Sequence, residues 1–126
     1  MVTFAETESS LMTGEHIIEL EKVSVSQNEN LILANVTLTF SIGEFVYLIG
    51  KTGSGKSSLL KTIYAELPVK NGSARVSGFD LRKLRRKDIP FLRRKLGIVF
   101  QDFQLLTDRS VNENLFFVMR ATGWKD

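Results

Sequence analysis

Residues 36–42 (Val36, Thr37, Leu38, Thr39, Phe40, Ser41, Ile42) alternate apolar and polar side chains without a break. That is the period of a strand with one covered face. Residues 16–25 carry Ile17, Ile18, Leu20, Val23 and Val25 and read as an earlier strand, with a turn-like stretch at 26–30 between the two. Gly43 and Glu44 form a short turn, and Phe45, Val46, Tyr47, Leu48 and Ile49 follow as an unbroken apolar run. Such a run predicts a central strand covered on both faces, with Tyr47 in the core. Residues 96–100 predict a second buried strand. Between these runs, Leu59, Leu60 and Ile63 fall on one side of a helix over 57–64, and Pro68 prevents its continuation. Lys70, Asn71 and Gly72 signal a turn before a short strand at 74–76. Asp88 and Pro90 mark a helix start, the carboxylate as cap and the proline in the first turn. Ser110, Val111, Asn112 and Glu113 fit a capping box for a helix over 111–122 that stops at Gly123. The polar, acidic residues 1–15 predict a flexible leader, and residues 16–126 the folded part. The pattern is α/β with an amino-terminal antiparallel β segment, and it contains no internal repeat.

Composition narrows the class. A chain of 126 residues with 43% hydrophobic and 25% charged side chains is one globular domain or part of one. No apolar run approaches the ~20 residues of a spanning helix. Residues 1–15 hold no base and no apolar core, unlike a secretory signal. The absence of cysteine excludes disulfides and thiolate chemistry and fits a reducing cytoplasm. His16 is the single histidine, which excludes a multi-histidine metal site; it reads as a surface residue at a strand start. The net charge of +3 averages opposed regions. Residues 1–21 hold five acids and no base, whereas residues 82–95 hold eight bases and one acid, Asp88. The basic stretch reads as a solvated helical face, with contact to anionic membrane lipid as the alternative. No series of aromatics accompanies the charges, so nucleic acid is not an expected partner.

One segment carries chemistry. Gly50, Lys51, Thr52, Gly53, Ser54, Gly55, Lys56 and Ser57 match the phosphate-binding pattern G-x-x-x-x-G-K-[ST], with an apolar run before and a helical pattern after. Glycines at 50, 53 and 55 let the backbone curl so that several N–H groups face phosphate oxygens. The following helix directs its partial positive end at the same place. Lys56 supplies a charge for the β- and γ-phosphates, and the Ser57 hydroxyl can ligate Mg2+. A nucleoside triphosphate is the expected ligand.

The motif together with its surroundings resembles the ABC (ATP-binding cassette) ATPases, from about residue 17 onward. The resemblance rests on residues 31–42 leading into 43–49, on the loop, and on Leu96, Gly97, Ile98, Val99, Phe100 and Gln101. It implies a P-loop NTPase core, truncated before the helical subdomain, with ATP and Mg2+ as cofactors. By resemblance, Gln101 opens the family's Q-loop, touches Mg2+ and the attacking water, and reports nucleotide state to a membrane partner. Lys56 and Gln101 are then the catalytic candidates, Ser57 and Gln101 the metal candidates, and residues 50–57 with Ser58 the nucleotide-binding set. Residues 99–114 are similar to the cell-division branch of FtsE type. Lys51, Thr52 and residues 121–126 are most similar to members of Bacteroidetes type. That branch implies a homodimeric ATPase, cytoplasmic and peripheral on the inner face of the cell membrane. Its partner would be an FtsX-like permease or another ABC membrane subunit.

Two features depart from the family pattern. Gln27, beside Ser26, stands where the family places an adenine-stacking aromatic. Base stacking is worth ~1–3 kcal/mol, so its loss weakens adenine selectivity. The second acidic strand, its adjacent glutamate, the serine-glycine-glycine signature and the switch histidine have no counterpart in these 126 residues. Asp102 is separated from its apolar run by Gln101, and His16 precedes the loop. The intact parent is therefore expected to hydrolyse ATP and this chain alone is not. Phe116, Phe117, Met119 and Trp124 should form an exposed apolar patch. Three other readings stay open: a lipoprotein-export or other transporter ATPase, a non-hydrolysing nucleotide-binding module, and an unrelated P-loop kinase or GTPase. The last lacks the guanine-reading Asn-Lys-x-Asp.

Overall fold

A computed structural model describes residues 16–27, 29–102 and 104–124; the predicted leader at 1–15 lies outside them. The chain divides into two compact units, Met1–Lys95 and Leu96–Asp126.

In the first unit, β1 (His16–Gln27) and β2 (Asn30–Ser41) pair antiparallel as a long hairpin. β3 (Asn71–Val76) pairs with the other edge of β1, and the two-residue β4 (Phe79–Asp80) closes the order β2-β1-β3-β4. The expected antiparallel segment is therefore present, but its hairpin is longer than the composition of residues 26–30 suggests. Gln27 already pairs with Asn30, so both strands run into the stretch that reads as a turn. Ser77 (φ 48°) and Gly78 (φ 83°) join β3 to β4, the two left-handed positions of a type I′ turn.

The inward residues are not spaced by two throughout. β1 buries Leu20, Val23 and Val25, and β2 buries Leu33, Val36 and Leu38, so each strand skips one position. Leu20 faces Leu38, Val23 faces Val36 and Val25 faces Leu33, which places one extra residue in β1 and then one in β2. Lys22 (φ 49°) and Asn35 (φ 56°) take the left-handed conformation that such bulges use. Each bulged amide finds a hydroxyl on the opposite strand. Lys22 N–H donates to Thr37 Oγ1 at 3.0 Å, and Asn35 N–H donates to Ser24 Oγ at 3.1 Å. Gly72 fits under the first bulge, where a Cβ would run into the Glu21 and Lys22 carbonyls. Asn71 and Gly72, expected in a turn, thus begin β3.

α1 (Lys56–Ile63) buries Leu59, Thr62 and Ile63, whereas Leu60, expected on the same side, is exposed and Thr62 takes its place in the core. A 3-10 turn at Arg86–Asp88 leads into α2 (Ile89–Arg93), whose Leu92 is fully buried. Pro90 lies in the first turn as expected, but the Asp88 side chain does not cap. Its carboxylate instead accepts from Arg85 Nε at 2.7 Å, which holds its pKa below the usual aspartate range.

The apolar run at 45–49 forms no strand. Phe45, Tyr47 and Ile49 are 80%, 77% and 70% exposed, so Tyr47 is a surface ring set edge-on to Phe45 rather than core. An apolar run states a need for cover but not its source, and none of β1–β4 pairs with it.

In the second unit, residues 96–100 likewise form no strand, and Val99 is 94% exposed. α3 (Val111–Ala121) begins at the predicted capping box, with Glu113 N–H donating to Ser110 Oγ and Ser110 N–H donating to Glu113 Oε2. It ends in a Schellman motif: Gly123 (φ 88°) donates to Arg120 O and Trp124 N–H to Met119 O. Phe116, Phe117, Met119 and Trp124 are exposed, as expected. Among the described residues, no helix is long and apolar enough to cross a membrane.

Candidate functional site

The loop at residues 50–57 follows the segment 45–49 and runs directly into α1. Gly55 is the position before the first helical residue and adopts φ 94°, which a side chain would resist. A Cβ there would stand 2.7 Å from Leu33 Cδ2, so the glycine also lets the loop lie against β2. Gly53 (φ 80°) bends the loop where nothing crowds it, and Ser54 N–H closes a turn onto Lys51 O at 3.1 Å.

Lys56 reaches back over this curl. Its ammonium donates to Gly50 O at 2.6 Å and to Lys51 O at 2.8 Å. An ammonium carries three N–H bonds, so one is left for a ligand. The first backbone hydrogen bond into α1 is Leu59 N–H to Gly55 O at 2.9 Å. Among the described residues, the amides of Gly53, Gly55, Lys56, Ser57 and Ser58 have no backbone acceptor. Unpaired donors at a helix start concentrate partial positive charge. No acidic residue occupies the first turn to oppose it, and Gly55, having no side chain, cannot cap the helix.

Two serines differ in their surroundings. Ser57 is exposed at the helix start, its hydroxyl available to a cation held by phosphate. Ser54 Oγ is buried with no hydrogen-bond partner, and it lies 2.6 Å from the place a Cβ on Gly50 would occupy. Ser58 O accepts from Thr62 Oγ1 at 2.8 Å and braces the helix from inside. At the far end of α1, Lys61 Nζ pairs with Glu66 Oε1 at 2.9 Å, raising the ammonium and lowering the carboxyl pKa.

The nine predicted binding residues, 50–58, are therefore brought together on one curl and one helix start. Open amides, an ammonium with a donor to spare and a buried unpaired hydroxyl fit a polyphosphate. A hydroxyl oxygen is a donor that suits Mg2+, and the exposed Ser57 hydroxyl would be the residue to hold it. Among the described residues no cluster of three His, Cys, Asp or Glu side chains adds to it.

Gln101 belongs to the second unit, exposed in a turn after residues 96–100. Next to it, the Asp102 carboxylate accepts from Gln104 Nε2 at 2.6 Å. A residue not anticipated from the sequence organises the connection beyond. Asn114 Oδ1 accepts from Leu106 N–H at 2.8 Å, while its Nδ2 donates to Leu106 O at 3.0 Å and Ser110 O at 3.0 Å. This amide clamps residues 106–110 onto the first turn of α3. An asparagine inside a capping-box helix was the available signal.

Known proteins agree with this geometry. The family model described as ABC transporter matches residues 33–126. The cell division ATP-binding protein FtsE of Streptococcus pneumoniae (serotype 2, strain D39) is 40% identical over 108 residues, covering 85% of this chain and 47% of that protein. FtsE of Escherichia coli K12 is 42% identical over 91 residues, covering 72% of this chain and 41% of that protein. A bacterial ABC transporter cassette solved as a dimer superposes with a TM-score of 0.75 at 30% identity, over 86% of this chain and 49% of that one. An ATP-binding cassette solved as a dimer after hydrolysis, with ADP and Pi bound, gives 0.74 at 28% identity, over 86% and 49%. The chain spans about half the length of the curated relatives it matches. With a loop of this geometry and a match across most of its length, the chain belongs to the ABC transporter family.

Proposed function

We propose that the chain binds the triphosphate of Mg-ATP on residues 50–58 and is the nucleotide-loading part of an FtsE-like ABC ATPase. In the intact protein, ATP binding and hydrolysis would act on a permease-like membrane partner during cell division. The single observation that carries the nucleotide assignment is the Lys56 ammonium bridged to the Gly50 and Lys51 carbonyls beside the open amides of α1. The cell-division role is supported by relatives named for cell division.

Lys56 would keep its two carbonyl bonds and give its third N–H to the β- and γ-phosphate oxygens. The amides of Gly53, Gly55, Lys56, Ser57 and Ser58 would donate to the remaining phosphate oxygens, and Ser57 Oγ would ligate Mg2+. Bound Mg2+ supplies charge neutralisation between the phosphates. Gln101 is proposed as the residue that reports nucleotide state to the partner, at the inner face of the cell membrane. A second copy of the ATPase is the proposed partner across the nucleotide, in keeping with the dimeric cassettes. The exposed runs 45–49 and 96–100 would be covered by the part of an ABC ATPase that these 126 residues do not span. This chain alone would bind nucleotide without turnover.

A fluorescent ATP analogue with Mg2+ tests the assignment. Removing a charge-assisted donor costs about 1.5–3 kcal/mol, so Lys56→Ala should weaken binding by roughly 10- to 100-fold. Unchanged affinity in Lys56→Ala, or GTP strongly preferred to ATP, would overturn it. Sustained phosphate release by the 126-residue chain, abolished in Lys56→Ala, would refute the claim that it binds without turnover.

A further inference from the structure

We propose that the basic face of residues 82–95 docks on the anionic headgroups of a phospholipid bilayer, with Phe91 entering the interface. All eight bases of the stretch (Arg82, Lys83, Arg85, Arg86, Lys87, Arg93, Arg94 and Lys95) are exposed. The segment carrying them is fixed rather than loose. Leu92 is fully buried, Arg82 Nη1 donates to Gly72 O at 3.2 Å, and Arg93 Nε donates to Tyr64 O at 3.0 Å.

Local acids do not neutralise the face. Between residues 79 and 95 the acids are Asp80 and Asp88, and each already holds one base: Lys83 Nζ lies 3.6 Å from Asp80 and Arg85 Nε 2.7 Å from Asp88. The side chains of Arg86, Lys87 and Lys95 make no hydrogen bond to an acceptor among the described residues, and Lys87 shares the charge of Asp88 with the already paired Arg85, so the stretch keeps a surplus of positive charge. Among these cations stands one large aromatic, Phe91, 55% exposed, with the Arg94 guanidinium 5.4 Å from its ring centre.

The matching partner must offer many separated negative charges and a place for an aromatic ring. A bilayer interface offers both, since anionic headgroups attract basic clusters and aromatic side chains settle at headgroup depth. The bases are spread over the 3-10 turn, α2 and their flanks, and of the eight Lys83 alone lines the recess that Asp80, Asp88 and Phe91 border; a spread of this kind suits a plane of charges. Nucleic acid fits less well, because a single ring gives no stacking series. The rest of the chain holds nine bases against thirteen acids, so an anionic surface would attract this face and repel the remainder, setting one orientation.

Co-sedimentation of the full-length protein with vesicles tests this. Vesicles of phosphatidylcholine with about one-third phosphatidylglycerol should capture the protein, and pure phosphatidylcholine should not. Raising salt from about 0.1 M to about 0.5 M should release it. Arg86→Gln, Lys87→Gln and Lys95→Gln together should weaken binding about tenfold or more, and Phe91→Ser severalfold. Removing three bases elsewhere (Lys22→Gln, Lys70→Gln, Arg109→Gln) should leave vesicle binding unchanged, and nucleotide binding in every variant reports that the fold is intact. Equal capture of the 86/87/95 variant and its parent, an equal loss in the control variant, or capture independent of phosphatidylglycerol would overturn the proposal. So would a defect of the 86/87/95 variant seen only with duplex DNA or an acidic polypeptide.

Discussion

A hydroxyl shut away from water costs about 1–3 kcal/mol when nothing accepts or donates to it. Ser54 Oγ is in that position, at the inside of a loop whose other polar groups are either paired or open to solvent. Ser54→Ala should therefore raise the stability of the ligand-free chain by about 1 kcal/mol, measured by urea denaturation. If the hydroxyl finds its partner only when phosphate fills the curl, the same variant should bind nucleotide severalfold more weakly. A loss of stability in Ser54→Ala would show that the hydroxyl is satisfied after all. Residues 50–57 were legible from the sequence because glycine, lysine and serine at fixed spacing have few alternative uses. The Asn114 clamp was not, because an asparagine inside a capping-box helix hints at a backbone partner without saying that it is the carbonyls of Leu106 and Ser110.

At the scale of elements, α3 is held at its start by a box with a built-in pH response. The Ser110 hydroxyl and amide both donate to Glu113, which holds its carboxyl below the usual glutamate range. A depressed carboxylate contributes stability above its unfolded pKa and loses it as pH falls through the folded one. Helicity of α3, followed by NMR, should therefore hold through neutral and mildly acid pH and fray only below the usual glutamate range, and Glu113→Gln should flatten that response while keeping the box. A response unchanged in Glu113→Gln would assign the fraying to another group. The box itself was legible from Ser110 and Glu113, and so was the helix end at Gly123. Asp88 was misjudged as a cap because Arg85, three residues earlier, competes for its carboxylate at 2.7 Å. The runs 45–49 and 96–100 were read as buried strands, since continuous apolarity reports a demand for burial and strand formation also requires a neighbour.

For the whole molecule, the question is how much apolar surface each unit leaves uncovered. In the first unit Phe45, Tyr47 and Ile49 face outward, and in the second Val99, Leu115 and Phe117 do. Surfaces of this kind recruit partners or self-associate. The isolated 126-residue chain should bind a hydrophobic dye such as anilinonaphthalene sulfonate and sediment with a mass that rises with concentration. An FtsE-like protein of full length should do neither to the same degree. A monomeric, dye-silent chain would contradict the exposed runs. Fold class was readable from the motif order, whereas the state of these runs was not, because half of a family domain carries the sequence signature of its core without all of the segments that enclose it.

The bulges at Lys22 and Asn35 have a genetic consequence. Lys22 adds a residue to one strand and Asn35 adds one to the other, and the pairing is back in step at Val25 and Leu33 before it shifts again at Ser26 and Leu31. Loss of the Lys22 codon alone would bring Leu20 and Val23 to a spacing of two and keep both on the buried face, and loss of the Asn35 codon would do the same for Leu33 and Val36. Loss of the Ser24 codon, which separates two buried valines at regular spacing, would instead turn Val25 toward solvent or slide the hairpin, since a one-residue slip exchanges the two faces of a strand. Urea denaturation of the three single deletions should find those at 22 and 35 far milder than that at 24, a pattern in length variation that substitution scanning would never reveal.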